Sequence, residues 1–159
     1  IERRYEGWRD VLAAAGVPDI DDLVVEVEDW LPELASAAIA RRIGERGLDF
    51  TAILTAGDSL AYGAIRGLEN AGLAVPRDVS VLGMDDLPLS AFCNPPLSTM
   101  HIPKREIGAA ALSLLLDDLS MANQPARRVE LACRLVLRES TAPAADARPD
   151  QDGAPASRP

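Results

Sequence analysis

Val79-Ser80-Val81-Leu82-Gly83-Met84-Asp85-Asp86, followed after seven intervening residues by Asn94-Pro95-Pro96-Leu97-Ser98-Thr99, is the stretch that decides the fold of this chain. Its first part is a short apolar run rich in β-branched residues, which reads as a buried strand with two carboxylates at its exit. Its second part is a crossover governed by Pro95 and Pro96, because proline fixes φ and offers no backbone N–H to a ladder.

Working outward, similar runs occur at residues 23–27 and 51–55, so strands recur roughly every 28 residues. Helical patterns fill the gaps. Residues 3–15 carry Trp8, Val11, Leu12 and Ala15 at helical spacing, and Gly16 and Pro18 supply a stop. Pro32 suits a first helical turn, and Leu34, Ala35, Ala38, Ile39 and Ile43 form a stripe ending at Gly47. Asp58 or Ser59 can cap a third helix, whose Leu60, Ala61, Ala64, Ile65 and Leu68 face one way before Gly72. Strand and helix in alternation predict an α/β fold, a parallel sheet flanked by helices. Pro103 opens a further helix with Ile107, Ala111, Leu114, Leu115 and Leu119 on one stripe, and residues 129–137 read as a last strand. From Ala142 onward the Ala, Pro, Asp and Arg mixture has no period and little to bury, so residues 142–159 are expected to be a disordered tail.

Composition narrows the function. A net charge of −9 opposes contact with a polyanion, since nucleic-acid affinity comes mainly from Lys and Arg on phosphates. No apolar run approaches the roughly 18 residues of a membrane span. Cys93 and Cys133 lie far apart without metal-ligand spacing and read as buried thiols. No metal and no cofactor is expected, and no G-x-G-x-x-G follows a strand. Gly57-Asp58-Ser59-Leu60 spells the block of GDSL-type esterases, but a serine nucleophile needs a base and a group to orient it. The only histidine, His101, has Ser98 three residues before it, so the D-x-x-H block is absent and no catalytic residue is assigned. His101 reads instead as a polar residue at a hinge.

Ligands of open parallel sheets sit beyond the carboxyl ends of the strands. Gly57-Asp58 and Asp85-Asp86 both fall there, either as ligand contacts or as a helix cap and a solvated turn pair. Gly63 and Gly67 share one helix face, which points to close packing against the sheet or a partner subunit.

Several blocks in order resemble the LacI/GalR family of bacterial transcription regulators. They are Arg4-Tyr5-Glu6-Gly7-Trp8, Thr51 to Asp58, Gly63, Gly72 to Val81, the opening stretch, Ile107-Gly108 and Arg138-Glu139-Ser140-Thr141. The resemblance implies a periplasmic-binding-protein-like effector domain of two subdomains that close on a small molecule, of which this chain would be the C-terminal part. Residues 1–102 and 129–141 would form the C-terminal subdomain, and residues 103–128 a segment of the partner subdomain. It implies Arg4, Trp30, Asp58 and Asp85 as effector-binding residues for a sugar or related metabolite, with Asp86 less involved. Gly57 stands where the family usually has Asn, and Ile102 where members often have Gln. The resemblance also implies a cytoplasmic homodimer with Tyr62, Phe92 and Cys93 as interface candidates, no membrane, and DNA contact only through an upstream helix-turn-helix. A periplasmic sugar-binding protein of a transport system is the alternative.

Overall fold

The computed structural model describes residues 2–120 and 127–143. In chain order the elements are α1 (Glu2–Ala14), α2 (Pro32–Arg46), β1 (Ala52–Leu54), α3 (Asp58–Asn70), β2 (Ser80–Asp85), β3 (Ser98–His101), α4 (Lys104–Ser120) and β4 (Arg134–Val136), with short 3₁₀ turns at Ile20–Leu23 and Pro88–Ala91. The four strands lie side by side in the order β1-β2-β3-β4. β1, β2 and β3 run parallel, with Leu54 opposite Leu82 and Asp85 opposite His101.

β4 runs antiparallel to β3, so the sheet is mixed and mostly parallel rather than wholly parallel. The register gives the reason. Arg134 sits opposite His101 and Val136 opposite Thr99, so the chain that left through α4 re-enters at the carboxyl end of β3 and must run back along it.

Two further departures concern strands. Residues 98–101 are a central strand, although Ser-Thr-Met-His shows no apolar run; Ser98 and Thr99 are fully buried and their hydroxyls are bonded within the protein. Residues 23–27, expected as a strand, pair with nothing among the described residues: Leu23 closes a 3₁₀ turn and Val24 is merely extended. A β-rich segment becomes a strand only where a neighbour satisfies its N–H and C=O groups.

The core lies between α2, α3 and the sheet. Ile39, Ala61, Ala64, Ile65, Leu68, Val79, Val81 and Leu97 form one buried cluster, edged by Ile43, Phe50, Ile53 and Leu73. The stripes expected on α2 and α3 meet there. Gly63 and Gly67 face neither the sheet nor a partner but α2. A Cβ on Gly63 would overlap the Pro32 carbonyl oxygen and lie 2.9 Å from the Ala35 Cβ, and one on Gly67 would lie 2.8 Å from the Ser36 carbonyl oxygen.

α4 behaves differently. Its Ile107, Leu112, Leu115, Leu116 and Leu119 are all exposed, and it makes no extended contact with another element among the described residues. No helix among the described residues is long and apolar enough to cross a membrane. Ala142, assigned to the expected tail, is tied to β2: it accepts from and donates to the Ser80 hydroxyl at 3.2 and 3.0 Å. Residues 121–126 and 144–159 of the expected partner segment and tail lie outside the described residues.

Candidate functional site

β1 and β2 end on the same side of the sheet, and the loops that leave them bring together residues distant in sequence. Asp85 ends β2 and Asp86 follows it, with φ of 120° and 54°. Left-handed backbone at two successive non-glycine residues costs of order 1–3 kcal/mol each and persists only where surrounding contacts hold it. Those contacts are visible. The Asp86 carboxylate accepts from Arg138 Nη2 at 2.6 Å and lies 2.9 Å from His101 Nδ1, while Lys104 Nζ donates to the Asp85 carbonyl. Arg138 also donates to the Leu97 carbonyl at 2.7 Å. Asp86 therefore ties the end of β2 to the end of β3 and to the segment after β4.

Burial alone would push the Asp86 carboxyl up, but Arg138 and His101 together outweigh it and hold the group below the ordinary carboxylate range. A depressed folded pKa contributes stability that is complete above the unfolded value of about 3.9 and is lost as pH falls through the folded value. Asp86→Asn should cost about 2 kcal/mol at pH 7, the scale of hydrogen bonds to charged groups. Urea titrations of both proteins should then converge as the pH is lowered from 5 to 3; a constant gap across that range would assign the loss to something other than this carboxylate.

Asp85 differs from its neighbour. Its side chain is partly exposed and takes no hydrogen bond among the described residues, so its oxygens remain available. One of them, Oδ2, lies 3.3 Å from the point where a Cβ of Gly57 would stand. The Trp30 ring borders the same point, at 2.7 and 3.1 Å. Arg4, on α1, donates to the Ala56 carbonyl at 2.9 Å, one residue before Gly57. Arg4, Trp30 and Asp85 thus meet around Ala56-Gly57 at the carboxyl ends of β1 and β2. They form an open wall: the shallow hollows elsewhere on the surface, of about 390 and 350 Å³, include none of them.

Asp58 does not join that wall. Its side chain is fully buried and accepts from the Leu87 N–H at 2.8 Å, the Ser90 hydroxyl at 2.6 Å and the Thr99 hydroxyl at 2.6 Å. All of its bonds run inward, joining α3 to β3 and to the turn after β2, so its carboxylate supports the site from beneath instead of facing a ligand. Nor does it cap α3: Gly57 is the N-cap, with no side-chain bond to the first turn. The helix repeat that placed Asp58 at a strand exit could not show which way it turns. Gly83 is the sequence trace of that choice, since a Cβ there would overlap Asp58 Oδ1.

Among the interface candidates, Phe92 is 84% exposed, whereas Tyr62 and Cys93 pack against the core cluster. Tyr62 bonds the Ser90 hydroxyl at 2.8 Å, and burial lifts both its phenol and the Cys93 thiol above their ordinary values. Cys133, expected to be buried, is exposed among the described residues. The Ser59 hydroxyl of the esterase-like block has no histidine beside it among the described residues; the His101 ring is engaged by Asp86. Lys104 and Arg138 escape a reading of the sequence as parts of the site. Their only sequence signal is position, one after the hinge proline and one opening the Arg138-Glu139-Ser140-Thr141 block.

The chain is similar to known proteins along most of its length. Residues 1–141 match the family model of the periplasmic binding protein-like domain. The HTH-type transcriptional repressor PurR of Photorhabdus laumondii is 34% identical over 137 residues, covering 86% of this chain and 40% of that protein. A LacI family transcriptional regulator from Arthrobacter sp. FB24, solved in complex with lactose, is 41% identical with a TM-score of 0.65 over 70% of this chain and 42% of its own. Another, from Enterococcus faecium with bound ribose, is 29% identical with a TM-score of 0.78 over 88% of this chain and 51% of its own. The chain thus spans about two fifths of the curated repressor it matches.

Proposed function

From the premise that the chain belongs to the periplasmic binding protein-like family, in the branch found in LacI-family regulators, we propose that it is the C-terminal part of the effector-sensing domain of a DNA-binding transcription regulator. The effector is a sugar or related metabolite. The observation that carries this reading is the convergence of Arg4, Trp30 and Asp85 around Gly57. A carboxylate accepts from adjacent hydroxyls, a guanidinium donates a planar fork, and an indole offers an apolar face, which together suit a polyol ring.

The rest of the molecule fits the same reading. The exposed apolar residues of α4 suit a helix that belongs to a second subdomain, in keeping with residues 103–128 as its segment and residues 1–102 and 129–141 as the subdomain described here. Asp86, His101 and Arg138 lie where the chain leaves for α4 and returns from it, so they are placed to sense how the two subdomains close. An effector then shifts the protein between states by binding one more tightly than the other. DNA contact falls to an upstream helix-turn-helix, as the net charge of −9 also favours. A homodimer in the cytoplasm, with the exposed Phe92 at its interface, completes the proposal. The relatives are regulators, which favours this reading over a transport protein.

Isothermal calorimetry of the intact protein against lactose, cellobiose and ribose tests it. At least one is expected to bind, and Arg4→Ala or Asp85→Ala should each weaken that binding by about 1.5–3 kcal/mol, roughly ten- to a hundredfold. Unchanged affinity in either variant would remove that residue from the site, and no binding of any sugar would reject the proposed effector class.

A further inference from the structure

Asp86 bridges the two connections that lead to and from α4. Its Oδ1 accepts from Arg138 Nη2 at 2.6 Å, on the segment that follows β4, and its Oδ2 lies 2.9 Å from Nδ1 of His101, the last residue of β3. The two arms differ in kind. Arg138 is charged at every working pH and is fixed a second time, through Nη1, on the Leu97 carbonyl at 2.7 Å. Histidine ordinarily changes its charge between about pH 5 and 8. His101 is the only histidine of the chain, and its side chain is 32% exposed, so protons reach it from solvent.

An ionised carboxylate only accepts, so the neutral ring carries its proton on Nδ1 and donates to Asp86, leaving Nε2 to take a second proton from water. With that proton the same bond joins a cation to an anion and strengthens. The other charged groups around the ring are Asp85, its register partner at the end of β2, Arg134, opposite it on β4, Arg138, and Lys104 in the first turn of α4. Only Asp86 bonds the ring among the described residues, so protonation acts first on Asp86. Asp86 is also half of the left-handed pair whose other half, Asp85, presents its carboxylate at the wall. Such backbone persists only while contacts hold it. A firmer hold on Asp86 therefore keeps Asp85 in place before a ligand arrives, and a site already ordered binds more tightly.

We infer that His101 is a pH-sensitive latch: on gaining a proton at Nε2 it tightens its bond to Asp86, fixes the Asp85-Asp86 turn across the two connections to α4, and raises affinity for the effector. The inference rests on the effector-binding reading above and goes beyond it in naming a regulation of that site by proton concentration.

Calorimetric titration of the intact protein with lactose, ribose and cellobiose at pH 5.5, 6.5 and 8 tests the latch. Carboxylates ordinarily titrate near about 4, below this range. Whichever sugar binds is expected to bind about fivefold more tightly at pH 5.5 than at pH 8, the lower end of ordinary coupling between sites. The gain is present where histidine is charged and is lost as the pH rises through neutrality. At pH 6.5 the binding enthalpy should differ between phosphate and imidazole buffers in the sense of proton uptake. His101→Gln keeps a donor toward Asp86 but cannot gain a proton, so its affinity should be the same at pH 5.5 and pH 8 and its enthalpy the same in both buffers. Sugar binding that is equally tight or tighter at pH 8, or a pH response that survives in His101→Gln, overturns the latch while the effector reading stands. Failure of all three sugars to bind at any of these pH values overturns both.

Discussion

Asp58→Ala is expected to lower folding stability by about 3–5 kcal/mol, the range for removing one partner from a buried charged network. The carboxylate is fully buried and accepts three hydrogen bonds, from a backbone N–H and two hydroxyls. Deleting it strands those donors without water. The Leu87 N–H has no alternative partner among the described residues, whereas the Ser90 hydroxyl keeps its bond to Tyr62. The loss should reach beyond α3, because the same carboxylate joins that helix to β3 and to the turn following the strained Asp85-Asp86 pair. Asp58→Asn keeps the volume but turns an amide NH₂ toward groups that donate, so it should recover only part of the loss. Urea denaturation of the three proteins checks this ordering, and an alanine variant within about 1 kcal/mol of wild type would show that the network is dispensable.

Gly63→Ala should be the other severe substitution, costing about 3 kcal/mol, the upper end of ordinary overpacking. Alanine is the better helix former by up to about 1 kcal/mol, so local propensity predicts a gain. Packing reverses the sign. The added methyl would meet the carbonyl of Pro32, which is backbone and cannot rotate aside, as well as the Ala35 Cβ at 2.9 Å. Relief requires α2 and α3 to separate, and that opens the contact between Ile39 and the buried face of α3. Thermal melts of Gly63→Ala and, as a control, Gly44→Ala discriminate the causes: a Cβ at Gly44 meets nothing within 4 Å, so there the propensity gain should survive. Stabilisation by both substitutions would refute the close approach of the two helices.

The periodic parts of the chain are legible in the sequence. Apolar stripes on α2 and α3, the strands around residues 52–54 and 80–85, and glycine stops all follow from local rules of spacing and turn chemistry. β3 is not legible, because its buried residues are Ser98 and Thr99, which look exposed until their hydroxyls are seen paired with Thr141 and Asp58. The stripe on α4 is apolar as its spacing predicts, but a pattern says which face seeks burial and not what covers it.

The candidate site divides the same way. Asp85 and Asp86 are adjacent carboxylates at a strand exit, and their composition cannot separate their roles. Backbone twist separates them, turning Asp86 to Arg138 and His101 and leaving Asp85 open. Asp58 and Gly57 show the same limit. One is a carboxylate beside a site and points away from it; at the other, the ring of Trp30, far earlier in the chain, stands where a side chain would be.

By itself the sequence determined the α/β class, the helices, the strands around residues 52–54 and 80–85, and which strand ends would carry polar groups, because these depend on neighbours a few residues apart. Only the tertiary structure decided the direction of β4, the burial of Asp58, the α2–α3 contact at Gly63 and the meeting of Arg4, Trp30 and Asp85. Each of these joins residues far apart in the chain, where close packing and the pairing of buried polar groups set the outcome and local pattern carries no record of the partner.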